Sequence, residues 1–81
     1  MIKMVRKNRR FKVSDYEIEL TAGGGVYQIL SNGEYRRRRL LKTEKRNDQT
    51  FYYFKMVDGK VIEFFRTTAG VLSASVYKGE V

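Results

Sequence analysis

The chain contains no cysteine and no histidine. Without cysteine there is no disulfide and no thiolate metal site. Without histidine, the commonest general base and metal ligand at neutral pH is missing. No cofactor or metal is expected from this composition, and zero cysteine fits a cytoplasmic protein. Proline is also absent, so any residue can donate a backbone hydrogen bond to a strand ladder. No run approaches the ~20 apolar residues that a membrane span needs. Residues 1–13 are basic without an apolar stretch, so no secretory signal is expected. Acidic residues are scarce: nine Asp and Glu stand against 17 Lys and Arg, a formal net charge of +8. A chain this basic prefers polyanions: nucleic acid first, then an anionic membrane or an acidic protein.

What is present is aromatic and β-branched. Thr50 to Thr68, TFYYFKMVDGKVIEFFRTT, places two such runs around Asp58-Gly59. Asp-Gly between them predicts a hairpin with a two-residue type I′ turn. That register sets Val57 opposite Lys60, Phe54 opposite Glu63 and Tyr53 opposite Phe64. One face then carries Tyr52, Phe54, Met56, Val61, Glu63 and Phe65, and resembles a core. The other carries Phe51, Tyr53, Lys55, Ile62, Phe64 and Arg66, a mixture of rings and cations suited to stacking on bases.

Upstream, residues 2–13 hold six Lys or Arg and no acid. Ile2, Met4 and Val5 suggest one short strand, and Phe11 and Val13 another, with Lys7-Asn8 between. Arg6, Lys7, Arg9, Arg10 and Lys12 are phosphate-gripping candidates. Asp15, Glu17 and Glu19 then alternate with Tyr16, Ile18 and Leu20, which predicts a half-buried strand with an acidic outer face. Such a strand is expected to lie away from any nucleic-acid surface. Thr21 to Val26 contains three glycines, but no Lys-Ser/Thr and no helix follow, so it reads as a turn and not a phosphate loop.

Val26 to Leu30 is a strand candidate, and Asn32-Gly33 is a second favoured I′ dipeptide. It sets Leu30 opposite Tyr35 and Gln28 opposite Arg37. A helix over residues 34–46 is the rival, since Ser31 to Glu34 fits a capping box. Tyr35, Leu40 and Leu41 make no helical stripe, which favours a strand over Tyr35 to Lys42. Arg36, Arg37, Arg38 and Arg39 form the sharpest motif, because guanidinium pairs bidentately with phosphate and stacks on bases. Lys42, Lys45 and Arg46 extend it. Residues 44–49 read as a polar loop. Ala69-Gly70 reads as a turn, Val71 to Tyr77 as a last strand, and the C-terminus as frayed.

Eighty-one residues suit one small domain, 1–81, with a basic segment over 1–13. The expected fold is all-β: an antiparallel meander of five to seven strands forming a bent sheet or partly open barrel of SH3-like or OB-like architecture. The alternative is an α+β fold with an Arg-rich helix. The expected function is non-enzymatic DNA or RNA binding. Phosphates would meet the basic residues named above together with Lys55 and Arg66, and bases would stack on Tyr53, Phe51 or Phe64. A second class is an interaction module that docks an acidic protein or self-associates into a homo-oligomer through strand edges. A third is a histidine-independent ribonuclease built on Glu63, Tyr52 and Arg66.

Overall fold

The computed structural model describes residues 8–21, 23, 25–66 and 72–79. These form eight strands and no helix. They are β1 (Arg9–Val13), β2 (Tyr16–Leu20), β3 (Val26–Ile29), β4 (Tyr35–Arg38), β5 (Leu40–Arg46), β6 (Gln49–Lys55), β7 (Val61–Arg66) and β8 (Leu72–Tyr77). The expected antiparallel all-β meander is present, with one strand more than the upper expectation. It is divided into two four-stranded sheets, β1-β2-β3-β4 and β5-β6-β7-β8, each in sequence order. The residues group into two compact units, Met1–Arg38 and Arg39–Val81.

The extra strand comes from the arginine run. Tyr35–Arg38 and Leu40–Arg46 are separate strands that belong to different sheets, and Arg39 lies between them. The single strand expected over Tyr35 to Lys42 is thus broken at Arg39, and the rival helix over 34–46 is absent. Just after the break, a bulge at Leu41 shifts the register between Leu40 and Lys42.

In the first unit, β1 pairs with β2 through Val13↔Tyr16 and Arg10↔Glu19, and β3 with β4 through Gln28↔Arg36 and Tyr27↔Arg37. Opposite partners share a face. Val13, Ile18, Val26 and Gln28 share one face and are buried. Arg10, Glu17, Glu19, Tyr27, Tyr35 and Arg37 share the other. The alternation read in Asp15 to Leu20 is present, with Ile18 fully buried. In the second unit, Met56, Ile62, Phe64 and Tyr53 are buried. A fully buried Ile contributes about 1.5–3 kcal/mol of transfer free energy. No buried side-chain nitrogen or oxygen among the described residues lacks a hydrogen-bond partner.

Both expected I′ turns are corrected in the same way. Gly59 N donates to Met56 O at 3.0 Å, and Met56 N donates to Lys60 O at 2.7 Å. The loop is therefore Val57-Asp58-Gly59, three residues closed around a type I turn, with Gly59 at φ 95° as its bulge residue. Leu30-Ser31-Asn32-Gly33-Glu34 repeats it: Gly33 N donates to Leu30 O and Leu30 N to Glu34 O, both at 2.8 Å, and Gly33 has φ 85°. The physical reason lies in the Asx side chains. Asp58 Oδ1 accepts Lys60 N at 3.0 Å, and Asn32 Oδ1 accepts Glu34 N at 2.9 Å. Each oxygen supports a loop in which only glycine takes φ > 0.

One added loop residue moves each register by one, and a strand's side chains alternate, so the faces regroup. Phe51, Tyr53 and Lys55 now oppose Phe65, Glu63 and Val61, while Tyr52 and Phe54 oppose Phe64 and Ile62. The true two-residue turn with both central residues at φ > 0 is Asn47-Asp48, at φ 46° and 66°, within the segment expected to be a plain loop. The Ala69-Gly70 turn, the strand suggested over Ile2 to Val5 and the last two residues of the frayed end read over 78–81 lie outside the described residues.

These turns respond in opposite directions to substitution. Gly59→Val is expected to destabilise by about 1–2 kcal/mol, because a β-branched residue resists the left-handed region. Asp48→Gly is expected to stabilise by up to about 1 kcal/mol, because Asn-Gly suits a I′ turn. Denaturant midpoints of the two variants measure both. Equal shifts of the same sign would contradict the turn assignments.

Candidate nucleic-acid interface

Register brings opposite charges together on the outer face of the first sheet. Arg10 lies opposite Glu19, and Arg10 Nε donates to Glu19 Oε1 at 3.0 Å. Arg10 Nη1 lies 3.8 Å from Glu17 Oε1. Asn8 Nδ2 donates to Glu19 Oε2 at 3.0 Å, and Tyr35 OH is bonded by Arg10 and donates to Glu19 Oε1 at 3.4 Å. Tyr27 meets Tyr35 edge-on at 6.4 Å. The hydrogen bond from Arg10 holds the Glu19 carboxyl below its usual range. The charge separation read along the chain is thus cancelled in space. The acidic strand is met by Arg10 of β1 and by Tyr35 of β4, since an antiparallel partner is chosen by register and not by charge.

In the second sheet, one face holds a polar cluster around a buried ring. Tyr53 is 0% exposed. Its hydroxyl donates to Glu63 Oε2 at 2.8 Å and accepts from Arg46 Nη2 at 2.8 Å. Arg46 Nε lies 2.6 Å from Glu44 Oε1, and its guanidinium carbon sits 4.2 Å from the Phe51 ring centroid. Lys42 Nζ lies 3.4 Å from Glu44 Oε2 and 5.1 Å from the centre of the Tyr53 ring. Burial, reinforced by the bond to Glu63, pushes the Tyr53 phenol up from its ordinary value.

The stacking assignment changes accordingly. Tyr53 offers no face to a base, Phe64 is buried, and Arg46 covers Phe51. Tyr52 is the exposed ring of β6, at 41%. The two-residue loop had placed it in an apolar set, and the observed register still sets it opposite Phe64 on the face of Phe54 and Ile62, so its exposure was not legible in the loop. Glu63 lies on the face opposite to Tyr52 and Arg66, engaged by Tyr53 and Arg46, so the ribonuclease constellation is not assembled. Among the described residues no cluster of acids could hold a metal ion.

The candidate cations fall into groups. Arg10, Arg36, Lys42 and Arg46 are in ion pairs, Arg36 with Glu34. Arg38, Lys55 and Arg66 each have an interaction within the chain. Arg9, Lys12, Arg37, Arg39 and Lys45 are exposed and enter no ion pair among the described residues. Arg6 and Lys7 lie outside the described residues. At the glycine turn, Thr21 Oγ1 accepts Gly25 N at 2.8 Å, which satisfies an amide that a phosphate cradle would need. No helix of the described residues is long and apolar enough to cross a membrane. No family model, curated protein or solved structure matches the chain.

The buried phenol makes a pH prediction. Its folded pKa is raised, so its contribution to stability is full below the unfolded value of about 10 and fades as pH rises through the folded value. Absorbance titration of the six tyrosines is expected to show one late phenol, lost in Tyr53→Phe. That variant also gives up two hydrogen bonds around a buried site, at a cost of about 1–3 kcal/mol. A late phenol that persists in the variant would refute the assignment.

Proposed function

We propose that this protein is a non-enzymatic nucleic-acid-binding module. Its charge pairing carries the reading. Five glutamates, Glu17, Glu19, Glu34, Glu44 and Glu63, are held by four cations, Arg10, Arg36, Lys42 and Arg46. The surplus stays on exposed side chains, with Arg37 and Arg39 in the arginine run and Lys45 on β5. Unneutralised like charges repel one another within a folded chain, and a polyanion relieves that repulsion. Guanidinium groups add bidentate geometry toward phosphate.

Leu40 and Leu41, 44% and 43% exposed next to Arg39, favour a second reading as a module that docks an acidic protein through mixed apolar and charged contacts. Salt dependence separates the two. Phosphate contacts release condensed counterions, so each contact adds roughly 0.7 to 0.9 to the slope of log affinity against log salt.

The arginine run supplies the test. Arg37 and Arg39 are exposed and outside ion pairs among the described residues, Arg36 is paired with Glu34, and Arg38 is half-buried on the face of Val26. Replacing Arg37 and Arg39 by Gln is expected to lower the slope by about one to two units. Replacing Arg36 and Arg38 is expected to change it little. Titrations with single- and double-stranded DNA and RNA of one sequence measure this. Equal losses from the two pairs, or none from Arg37 and Arg39, would remove the run from the interface.

A further inference from the structure

We infer that the second sheet carries a base-stacking subsite for single-stranded nucleic acid, centred on Tyr52. The inference rests on the nucleic-acid reading above and names the form of the ligand.

Five of the six tyrosines are engaged inside the chain. Tyr53 and Tyr77 meet at 4.8 Å, Tyr27 and Tyr35 contact each other, and Tyr16 has an interaction of its own. The Tyr52 side chain makes no hydrogen bond, ring contact or ion pair among the described residues, and the residue is 41% exposed. Its neighbours on the same face are suited to a nucleotide. Thr43 of β5 lies directly opposite and is exposed. Lys45, paired with Thr50, lies one step along the face on β5, and Arg66 lies one step along it on β7. Diagonal neighbours of this kind are about 7–8 Å apart, within reach of long side chains. On the β7 side Tyr52 is opposite Phe64, which is buried and packs edge-on against Phe54 at 5.6 Å.

An unengaged ring beside a hydroxyl, with two cations one step along the same face, offers a base its face and a flanking phosphate its counter-charge. The ring can be used only if the base is free. Bases within a duplex are already stacked on one another, whereas a single strand presents them. The subsite is therefore selective for single strands, and the surplus cations elsewhere are not.

The test compares wild type, Tyr52→Ala and Tyr52→Phe by fluorescence anisotropy. The probes are a labelled single-stranded oligonucleotide and the duplex of the same sequence, and circular dichroism checks each fold. Loss of one stacked base is worth a factor of about 5 to 150. Tyr52→Ala is expected to weaken single-strand binding by that factor, with the salt slope and duplex binding unchanged. Tyr52→Phe keeps the ring and is expected to bind as wild type does. If Tyr52→Ala leaves single-strand binding intact, or weakens both probes equally, the stacking subsite is wrong while the nucleic-acid reading stands. If wild type binds neither probe, that reading fails and takes the subsite with it.

Discussion

The hydrogen bond from Lys60 N to Asp58 Oδ1 supports the loop that decides which residues of β7 each aromatic of β6 meets. It supports a loop of three residues, and the loop length fixes the register of β6 on β7. Because side chains alternate, that register puts Tyr53 opposite Glu63 and not opposite Phe64. The consequence for polarity is large. Glu63 leaves a set of apolar neighbours, where its charge would be costly, and joins Arg46 and the Tyr53 hydroxyl, where it is satisfied. Asn32 has the same role in the first sheet, where it places Arg37 on the outer face with Tyr27 and Glu19.

Ion pairing then sorts the basic residues. Long runs such as Arg36 to Arg39 are uniform in sequence, yet their members differ once the ladders form. Arg36 meets Glu34, Arg37 stands outside every ion pair among the described residues, Arg38 is half-buried, and Arg39 falls between strands. Most of the pairs are exposed, and exposed pairs contribute little to stability. Their effect is on the electrostatic field: they silence particular cations and leave others to act on whatever approaches.

Much of the architecture was legible in the chain. Alternation at Tyr16 to Leu20 marked a strand with Ile18 inside, and the turn dipeptides marked where the hairpins lie. Loop length was less legible, because Asn-Gly and Asp-Gly suit both a two-residue I′ turn and a type I turn with a glycine bulge. The Asx side chain's bond to the amide two residues on selects between them, and that bond forms only in the folded loop. The I′ turn at Asn47-Asp48 was hidden for the converse reason: it has no glycine, and two Asx residues bear the positive φ. The site suffered most: Tyr53, read as a stacking ring, is buried against Glu63, and Tyr52, read as core, is exposed although its face is apolar.

Strict sequence order within each sheet has a kinetic meaning. Among the described residues every ladder joins two strands consecutive in the chain and within one sheet, so each closes across a short connection. The entropy lost in closing such loops is small, and no strand waits for a distant partner to arrive. Assembly can therefore begin at any hairpin and spread outward one strand at a time. Glycine at positions 33 and 59 lowers the barrier to starting it.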